Sequence, residues 1–273
     1  MLIQLKKNIY LKIGIFIVSS LFILMIISIF YTPYDITKMN LDKKLNSPSK
    51  EFILGTDNFG RDILSRAMKS SQTAFIVGGI SVGIGLLFGV FIGAISGYIG
   101  GIVDEIIMRI MDAMMAFPGI LFALLYVAIF GVGIKNTIIA IGIISIPSFA
   151  RIARSGFIQH KSMDYVKTAK MSGAKTIRII FVHILPNVIS PIIVAASMGF
   201  STAVLSEAAL SYLGLGVQPP YPSWGRMLNE SQIYIERAPW FALVPGILIT
   251  LLVLGFNFLG DGLRDASDKR KKE

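Results

Sequence analysis

Residues Tyr165 to Asn187, YVKTAKMSGAKTIRIIFVHILPN, form a polar and basic island between two apolar runs that are each long enough to cross a bilayer. The island predicts a short helix, a glycine break at Gly173, a basic turn and then an apolar stretch entered through Leu185 and Pro186. Glycine can adopt the left-handed backbone conformation that ends a helix. The island therefore marks a linker outside the bilayer, between two membrane spans.

The composition of the chain is that of a membrane protein. Its 273 residues are 54% hydrophobic and 15% charged, whereas a soluble domain of this length carries about a quarter charged residues. The net charge of +10 does not indicate nucleic-acid binding, because the basic residues cluster in the linkers between apolar runs and at the chain ends. The sequence has no cysteine, which excludes disulfides and thiolate metal sites.

Six apolar runs have the length of a membrane span. The fourth is marginal, because Pro147 interrupts it and Arg151 and Arg154 close it. The first is longer than the apolar core of a signal peptide and has no small-residue cleavage site after it, which favours an uncleaved span. The runs lie at residues 13–30, 74–97, 107–130, 137–156, 186–206 and 240–260.

The positions of the basic residues predict that both chain ends are cytoplasmic. Lys6, Lys7 and Lys12 precede the first span, and a basic run from Lys269 to Lys272 follows the last. The loop at 31–73 is then external although it is rich in lysine and arginine, which argues against this orientation. The predicted organisation is an N-terminal segment with the first span (1–30), an external loop (31–73), a core of five spans (74–260) and a cytoplasmic tail (261–273).

Glycine recurs every four residues inside the second span, at Gly85, Gly89, Gly93 and Gly97. This spacing places the glycines along one helix face, where they allow a second helix to approach closely. Helix packing is the favoured interpretation, and lining of a substrate path is the alternative. No G-x-x-x-x-G-K-[ST] motif occurs in the sequence, so the chain does not bind ATP through a P-loop.

The island resembles the cytoplasmic coupling segment of ABC-importer permeases. The family pattern is Glu-Ala-Ala, three residues, Gly, and then about nine residues to a hydrophobic-Leu-Pro. Gly173, Ile179 and Leu185-Pro186 match it, and Lys167-Thr168-Ala169 stands in place of Glu-Ala-Ala. Four further blocks, in family order, resemble the C-type permease of peptide and nickel ABC importers: LGTDNFGRDILSR (54–66), GYIGGIVDEIIMRIMDAMMAFPGIL (97–121), LSYLGLGVQPPYPSWGRML (210–228) and FNFLGDGLRD (256–265).

The resemblance implies an all-α membrane protein with the type I ABC-importer permease fold, six transmembrane helices, cytoplasmic termini and a coupling helix within residues 157–187, here named the coupling segment. It implies a non-catalytic subunit in a bacterial or archaeal cytoplasmic membrane that binds no cofactor itself. The implied partners are a sister permease in a heterodimer, two cytoplasmic ATPases that hold ATP-Mg, and an extracytoplasmic binding protein. Di- or oligopeptides are the expected cargo, with nickel as the alternative.

The resemblance also assigns the ATPase contact to the coupling segment. Met163, Val166, Ala169 and Ala174 extend an apolar face that could bury in a cleft of the ATPase. Lys167 departs from the family carboxylate, so an ion pair there would need an acidic partner on the ATPase. The residues assigned to coupling are Lys167, Thr168, Ala169, Gly173, Ile179, Leu185 and Pro186.

The external block mixes opposite charges with glycines, so it can fold on itself through arginine–carboxylate pairs. Docking of the sister permease or the binding protein is the alternative. The residues concerned are Gly55, Thr56, Asp57, Gly60, Arg61 and Asp62.

Ionisable residues at membrane depth should face the bundle interior or water, which makes Arg109, Asp112 and Glu207 candidates for the translocation path or gate. Trp224 is a fourth candidate. Arg109 and Asp112 are three apart and are expected to pair, with a translocation role as the alternative. Glu207 is expected to reach water at the outer boundary, and Trp224 to anchor a proline-rich turn at the membrane interface or to form a gate. His160 and His183, with no cysteines, do not indicate a metal site.

Two other classes fit the sequence less well. A secondary transporter would show inverted repeats, broken helices and a midplane carboxylate, and no convincing repeat is present. An intramembrane enzyme would need paired Ser–His or His-Glu-x-x-His chemistry, which is absent.

Overall fold

The structure is a computed structural model that describes residues 8–267; the basic residues predicted to flank the spans at Lys6, Lys7 and Lys269–Lys272 lie outside it. Within that range the regular elements are helices, without a β-strand, and one isolated bridge joins Thr56 and Asp62. The helices are α1 (Ile9–Phe30), α2 (Ile63–Ile99), α3 (Gly101–Ala116), α4 (Gly119–Phe130), α5 (Ile134–Lys161), α6 (Asp164–Met171), α7 (Thr176–Tyr212), α8 (Trp224–Ser231) and α9 (Pro239–Ser267).

Five of these helices, α1, α2, α5, α7 and α9, are long and apolar enough to cross a membrane. The predicted third span is not one straight helix. It is the pair α3 and α4, bent by 85°, which brings the number of spans to six if the pair crosses once. The bend follows from Pro118, because the residue before a proline disfavours helical backbone, and Phe117 is extended with ψ 128°.

The predicted interruption of the fourth span is wrong. Helix α5 runs without a break from Ile134 to Lys161 and contains Pro147 in its interior. Neighbouring helices allow a membrane helix to tolerate a proline that would end an exposed helix in water. The surrounding structure therefore overrides the local helix-breaking signal.

Helix α2 is longer than the predicted second span. It begins at Ile63, inside the predicted external loop, where the Asp62 side chain caps it by accepting a hydrogen bond from Ser65 N at 2.8 Å. Its 37 residues extend about 55 Å at 1.5 Å per residue, well beyond a hydrocarbon core of about 30 Å. This helix therefore connects regions on opposite sides of the bilayer.

The glycine ladder lies against α5, as expected for a packing face. An added Cβ at Gly93 would lie 2.2 Å from the Ala150 carbonyl oxygen, and one at Gly97 would lie 2.7 Å from the Arg154 carbonyl oxygen. The two backbones approach so closely that a side chain has no space between them. The ladder therefore fixes α2 and α5 as one unit.

Helix α9 joins the remaining spans to this unit. Its Phe256 stacks on Phe200 of α7 with ring centroids 3.9 Å apart, and Phe75 of α2 packs against both rings. Helix α1 packs on α9 through Gly14, where an added Cβ would lie 2.6 Å from Leu259 N. The spans thus form one bundle centred on α2, α5, α7 and α9.

Candidate functional site

The coupling segment contains the predicted short helix and glycine break. Helix α6 ends at Met171, and Gly173 has the left-handed backbone that was expected, with φ +77°. The Gly173 N–H donates to the Lys170 carbonyl at 3.0 Å, and the Ala174 N–H donates to the Ala169 carbonyl at 3.1 Å. The glycine turn therefore satisfies carbonyl groups that the end of α6 would otherwise leave free.

The apolar stretch after the turn begins earlier than predicted. Helix α7 starts at Thr176, so Leu185 and Pro186 lie within it rather than at its entry. The turn just before them, Ile179–Ile184, is π-helical, and the Leu185 N–H bonds to the Ile180 carbonyl five residues back. This wider turn accommodates Pro186, which has no N–H and would crowd an ordinary α-helical turn.

The coupling segment uses part of its apolar face within the chain. Val166 is fully buried against Phe157, Ile179 and Ile184, in a small core separate from the main bundle core. Since α6 is seated on the end of α5 and the start of α7 in this way, Val166 is not free to enter a cleft of another protein. Ala169 and Ala174 are half-buried.

The opposite side of the segment is exposed and apolar at its tip. Met171 is 83% exposed and Ile177 is 72% exposed. Met163, which was expected on the docking face, is 40% exposed. Met171 and Ile177 are therefore the large apolar side chains of this segment that are most available for contact with another protein.

Basic residues lie close to Met171 and Ile177 in the sequence. Lys167 pairs with Asp164 of the same helix at 2.9 Å, so this lysine has a partner within the chain. Lys170 lies over the Tyr98 ring, 5.3 Å from its centroid. Lys175 and Arg178 are exposed and make no ion pair with any residue from 8 to 267. The exposed part of the segment therefore combines the apolar side chains of Met171 and Ile177 with the cationic side chains of Lys175 and Arg178.

Tyr165 connects α6 to both of its neighbours. Its hydroxyl lies 2.9 Å from His160 Nδ1 at the end of α5. Partial burial raises the pKa of the Tyr165 phenol, and a hydrogen bond with Asn187 of α7 opposes that shift. The phenol therefore stays protonated at neutral pH and holds the three elements together.

The loop before α2 folds on itself through ion pairs, as its sequence indicates. Asp57 is fully buried and pairs with Arg61 Nε at 2.6 Å and with Arg66. Both arginines also reach Glu230 of α8, at 3.1 Å from Arg61 and 2.8 Å from Arg66. These four residues, named here the loop cluster, join the loop to α2 and α8.

Two members of the loop cluster were not predicted. Arg66 lies in the first matching block, but its pairing depends on where α2 begins. Glu230 lies just past the third block, four residues after Arg226, with which it pairs at 3.0 Å. That i, i+4 spacing is the only signal in the sequence for Glu230.

The other residues of the external block shape the loop. Gly60 has φ +72°, and an added Cβ there would lie 1.7 Å from the Asn40 carbonyl oxygen, so only glycine fits. Gly55 also has a positive φ, of +78°. Thr56 is buried, and its hydroxyl accepts from Asn46 N at 2.8 Å.

The predicted pair between Arg109 and Asp112 is wrong. Arg109 pairs with Glu105 at 2.8 Å, and Asp112 pairs with Arg151 of α5 at 2.6 Å. Helical spacing allows Arg109 a partner at either i+3 or i−4, and Arg151 becomes available to Asp112 because α3 packs on α5. All four side chains are largely exposed.

Sequence reasoning also missed an ion pair that attaches α3 to α5. Asp104 accepts from Arg154 Nη2 at 2.6 Å and from the Ser96 hydroxyl of α2. In the sequence, Arg154 only marks the end of the fourth apolar run. The pair fixes the start of α3 against both long helices.

Two further expectations are corrected. Glu207 does not reach water: it is 2% exposed and accepts from the Ser211 hydroxyl at 2.6 Å. Trp224 is not a membrane-interface anchor: it is 2% exposed, and its Nε1 donates to the Ala67 carbonyl at 3.0 Å. Glu207 helps to hold the segment between α7 and α8, because the Ser211 hydroxyl that bonds to it also accepts from Val217 N at 3.0 Å. Trp224 attaches the start of α8 to α2 through Ala67.

Comparison with known sequences identifies close relatives. Residues 89–273 match the family described as binding-protein-dependent transport system inner membrane component. The chain is 46% identical to the dipeptide transport system permease protein DppC of Alkalihalophilus pseudofirmus, over 98% of this chain and 88% of the relative. It is 43% identical to the di/tripeptide transport system permease protein DppC of Pseudomonas aeruginosa, over 88% and 81%. It is 46% identical to the glutathione transport system permease protein GsiD of Salmonella typhimurium, over 98% and 88%.

Comparison with solved structures supports the same fold. The chain aligns with the inward-facing MetNI methionine ABC transporter with a TM-score of 0.61, covering 74% of this chain and 97% of that one at 18% sequence identity. A second crystal form of that transporter gives a TM-score of 0.58. The bundle is therefore the type I importer permease fold. The chain belongs to the family of inner-membrane components of binding-protein-dependent transport systems, as the multi-pass, non-catalytic permease subunit of an ABC importer.

Proposed function

We propose that this chain carries short peptides across the cytoplasmic membrane as one half of a heterodimeric permease. The observation that supports the cargo is the 43–46% identity, over most of the chain, to relatives named for dipeptides, di/tripeptides and glutathione. Nickel, the alternative cargo, is supported by the motif resemblance alone. Within residues 8–267 no three histidine, aspartate or glutamate side chains lie close enough to hold a metal ion.

The proposed partners are a sister permease, two cytoplasmic ATPases that hold ATP-Mg, and an extracytoplasmic binding protein. The ATPase contact is the exposed tip of the coupling segment, formed by Met171 and Ile177 with Lys175 and Arg178 at its edge. Because the edge is cationic, we expect acidic side chains around the receiving groove of the ATPase. ATP-driven closure would move α6 and, through its buried Val166, the ends of α5 and α7.

The orientation of the chain is part of this proposal. With the coupling segment in the cytoplasm, an odd number of spans separates it from the loop cluster, which then lies outside. In this orientation the exposed surface of the 31–62 loop faces the binding protein or the sister permease. The buried charges of the loop cluster hold that surface in shape.

A crosslinking experiment tests the ATPase contact. Because the chain has no native cysteine, an introduced cysteine is its single reactive thiol. Met171→Cys in the assembled importer should crosslink to the ATPase subunit, because this side chain is 83% exposed at the tip. Val166→Cys is the matched control on the same helix, because that position is fully buried within the chain and should not crosslink. Crosslinking from Tyr221→Cys, in the loop before α8, without crosslinking from Met171→Cys would reverse the orientation.

An uptake experiment tests the cargo. A strain that lacks only this chain is compared with its complemented parent for uptake of a labelled dipeptide, glutathione, a longer peptide and radioactive nickel. Loss of peptide uptake with normal nickel uptake supports the proposal. Loss of nickel uptake alone would show that the chain imports metal instead of peptides. Normal uptake of every compound would show that neither proposed cargo depends on this chain.

A further inference from the structure

A continuous groove runs between α5 and α7. Its first part is a cavity of about 480 Å³ that begins at Gly119 of α4 and Ser206 of α7. Its second part, of about 710 Å³, ends at His160 of α5 and Arg264 of α9. Ile152, Ala195 and Met198 line both cavities, so the two form one groove, named here the α5–α7 groove.

The groove has the length of a membrane. Along α5 its lining residues recur at three- and four-residue intervals, so they occupy one face of the helix. From the first to the last of them the helix rises about 28 Å, at 1.5 Å per residue, which is close to the thickness of the hydrocarbon core. The α5 positions are 141, 144, 145, 148, 149, 152, 156, 159 and 160. One side of the groove is not covered by the described residues of this chain.

The groove wall is apolar with a row of hydroxyl groups. Ser145, Ser148, Thr202 and Ser206 line its first part, and Ser148 and Thr202 are exposed to it. Ser145 donates to the Ile141 carbonyl at 2.7 Å, and Thr202 donates to the Met198 carbonyl at 3.2 Å. Since the donors of Ser145 and Thr202 are used within the helices, their hydroxyl oxygens are left as acceptors for an N–H group.

The formal charge among the residues that line the groove is positive. No aspartate or glutamate is among its lining residues, and Arg264 stands at one mouth. Arg264 makes no ion pair with any residue in the range 8–267, and the neighbouring Asp265 accepts from Asn8 at 3.2 Å. A divalent cation would find no anionic ligand here, whereas a carboxylate would find a guanidinium group.

We propose that the α5–α7 groove is this chain's half of the peptide path, with the hydroxyl row accepting hydrogen bonds from peptide N–H groups and Arg264 pairing with the peptide carboxylate at the cytoplasmic mouth. This inference rests on the proposed function. The residues that line this groove take the place of Glu207 and Trp224 as candidates for the path, since both of those side chains are buried elsewhere in the bundle. The sister permease would close the open side.

Thiol labelling of the complete reconstituted importer tests the groove independently of cargo. Ser148→Cys and Thr202→Cys should react with a membrane-impermeant thiosulfonate at least about tenfold faster than Ile193→Cys. Ile193 is 48% exposed but lies nine residues from Thr202, on the opposite face of α7. A transported dipeptide should slow the reaction at the two groove positions. Equal rates at all three positions would overturn the groove as a path.

A second measurement tests the role of Arg264. Uptake of dialanine and of its C-terminal amide is compared in the wild type, Arg264→Gln and Arg264→Lys. Because Arg264 is exposed, Arg264→Gln should reduce dialanine uptake by roughly two- to fivefold, and the amide should be unaffected. Arg264→Lys should retain the preference for the free carboxylate.

The outcomes separate the two proposals. An equal loss of both cargos in Arg264→Gln would show that the arginine has a structural role and does not read the carboxylate. Wild-type importer that transports neither peptide, yet shows the labelling pattern, would remove the peptide assignment and leave the groove as the path of another cargo. Peptide transport without the labelling pattern would contradict the assignment of the groove as the path and leave the peptide cargo supported.

Discussion

The loop cluster and the coupling segment are both charged regions in an apolar chain, but they place their charges oppositely. The side chains of Asp57 and Arg66 in the loop cluster are 0% and 3% exposed. Those of Asp164 and Lys167 in the coupling segment are 96% and 62% exposed. Each region contains arginine or lysine three to nine residues from an acid, so sequence spacing does not distinguish them. Burial does.

The difference in burial separates two uses of charge. A buried ion pair is expensive to break, because removal of one partner leaves the other in a medium of low polarity. An exposed pair contributes little, because water and salt screen it. We infer that the loop cluster maintains the fold, whereas the charges of the coupling segment are available to another protein. Four substitutions test this contrast.

The largest expected effect is that of Asp57→Asn. The substitution keeps the oxygen that accepts from the backbone N–H groups of Phe59 and Arg61, but removes the charge that faces two arginines. We expect a loss of about 3–5 kcal/mol of stability, seen as a clear fall in the Tm of the detergent-purified importer. An unchanged Tm would mean that the loop cluster does not maintain the fold.

Glu230→Gln should have a smaller effect on the same cluster. Arg61 and Arg66 would lose one carboxylate but keep Asp57, so we expect a loss of about 2 kcal/mol. Glu236→Gln is the matched control, since Glu236 is exposed and a few residues further along the chain. Equal Tm values for the two variants would show that α8 is held by packing alone.

Gly173→Ala should impair coupling with little change in global stability. Gly173 has φ +77°, which costs an alanine about 1–2 kcal/mol, and no atom lies within 4 Å of the added Cβ. The strain should therefore move the end of α6 and lower the ATPase stimulation produced by the loaded binding protein. Gly173→Asn should restore much of it, because asparagine tolerates this backbone conformation. Equal activity of both variants with the parent would show that the turn is not needed for coupling.

Asp164→Asn should have the smallest effect. Its pair with Lys167 is exposed on both sides, so we expect no measurable change in Tm at low or high salt. The measurement is the same thermal unfolding used for Asp57→Asn. A fall in Tm comparable with that of Asp57→Asn would show that the exposed charges of the coupling segment also maintain the fold.

The predictable parts of this chain are those that depend on local sequence. Apolar length is sufficient to locate the spans, and Gly173 is sufficient to end α6, since both depend only on neighbouring residues. The bend between α3 and α4 also has a local signal, because the sequence Phe117-Pro118-Gly119 disfavours helical backbone at Phe117 and adds a flexible glycine at its third position.

The partners of charged residues were harder to predict because they depend on which helices become neighbours. Asp112 is paired with Arg151 because α3 packs on α5, and no spacing in the sequence contains that fact. Glu207 lies at the end of an apolar run, where water would be the cheaper environment, yet Ser211 and the following loop enclose it. The predicted surroundings of Glu207, Arg109 and Asp112 were wrong for this reason. In the coupling segment the short helix and the glycine turn were predicted, but the burial of Val166 was not.

Helix α2 has a mechanical consequence. Near one end, Arg66 belongs to the loop cluster; at the other, Tyr98 lies beneath Lys170 of the coupling segment. About 48 Å of helix separates these two residues, and the glycine ladder clamps its second half to α5. Because the ladder joins α2 and α5 into one unit, a tilt imposed at Tyr98 would move both helices together and displace Arg66, on the far side of the membrane.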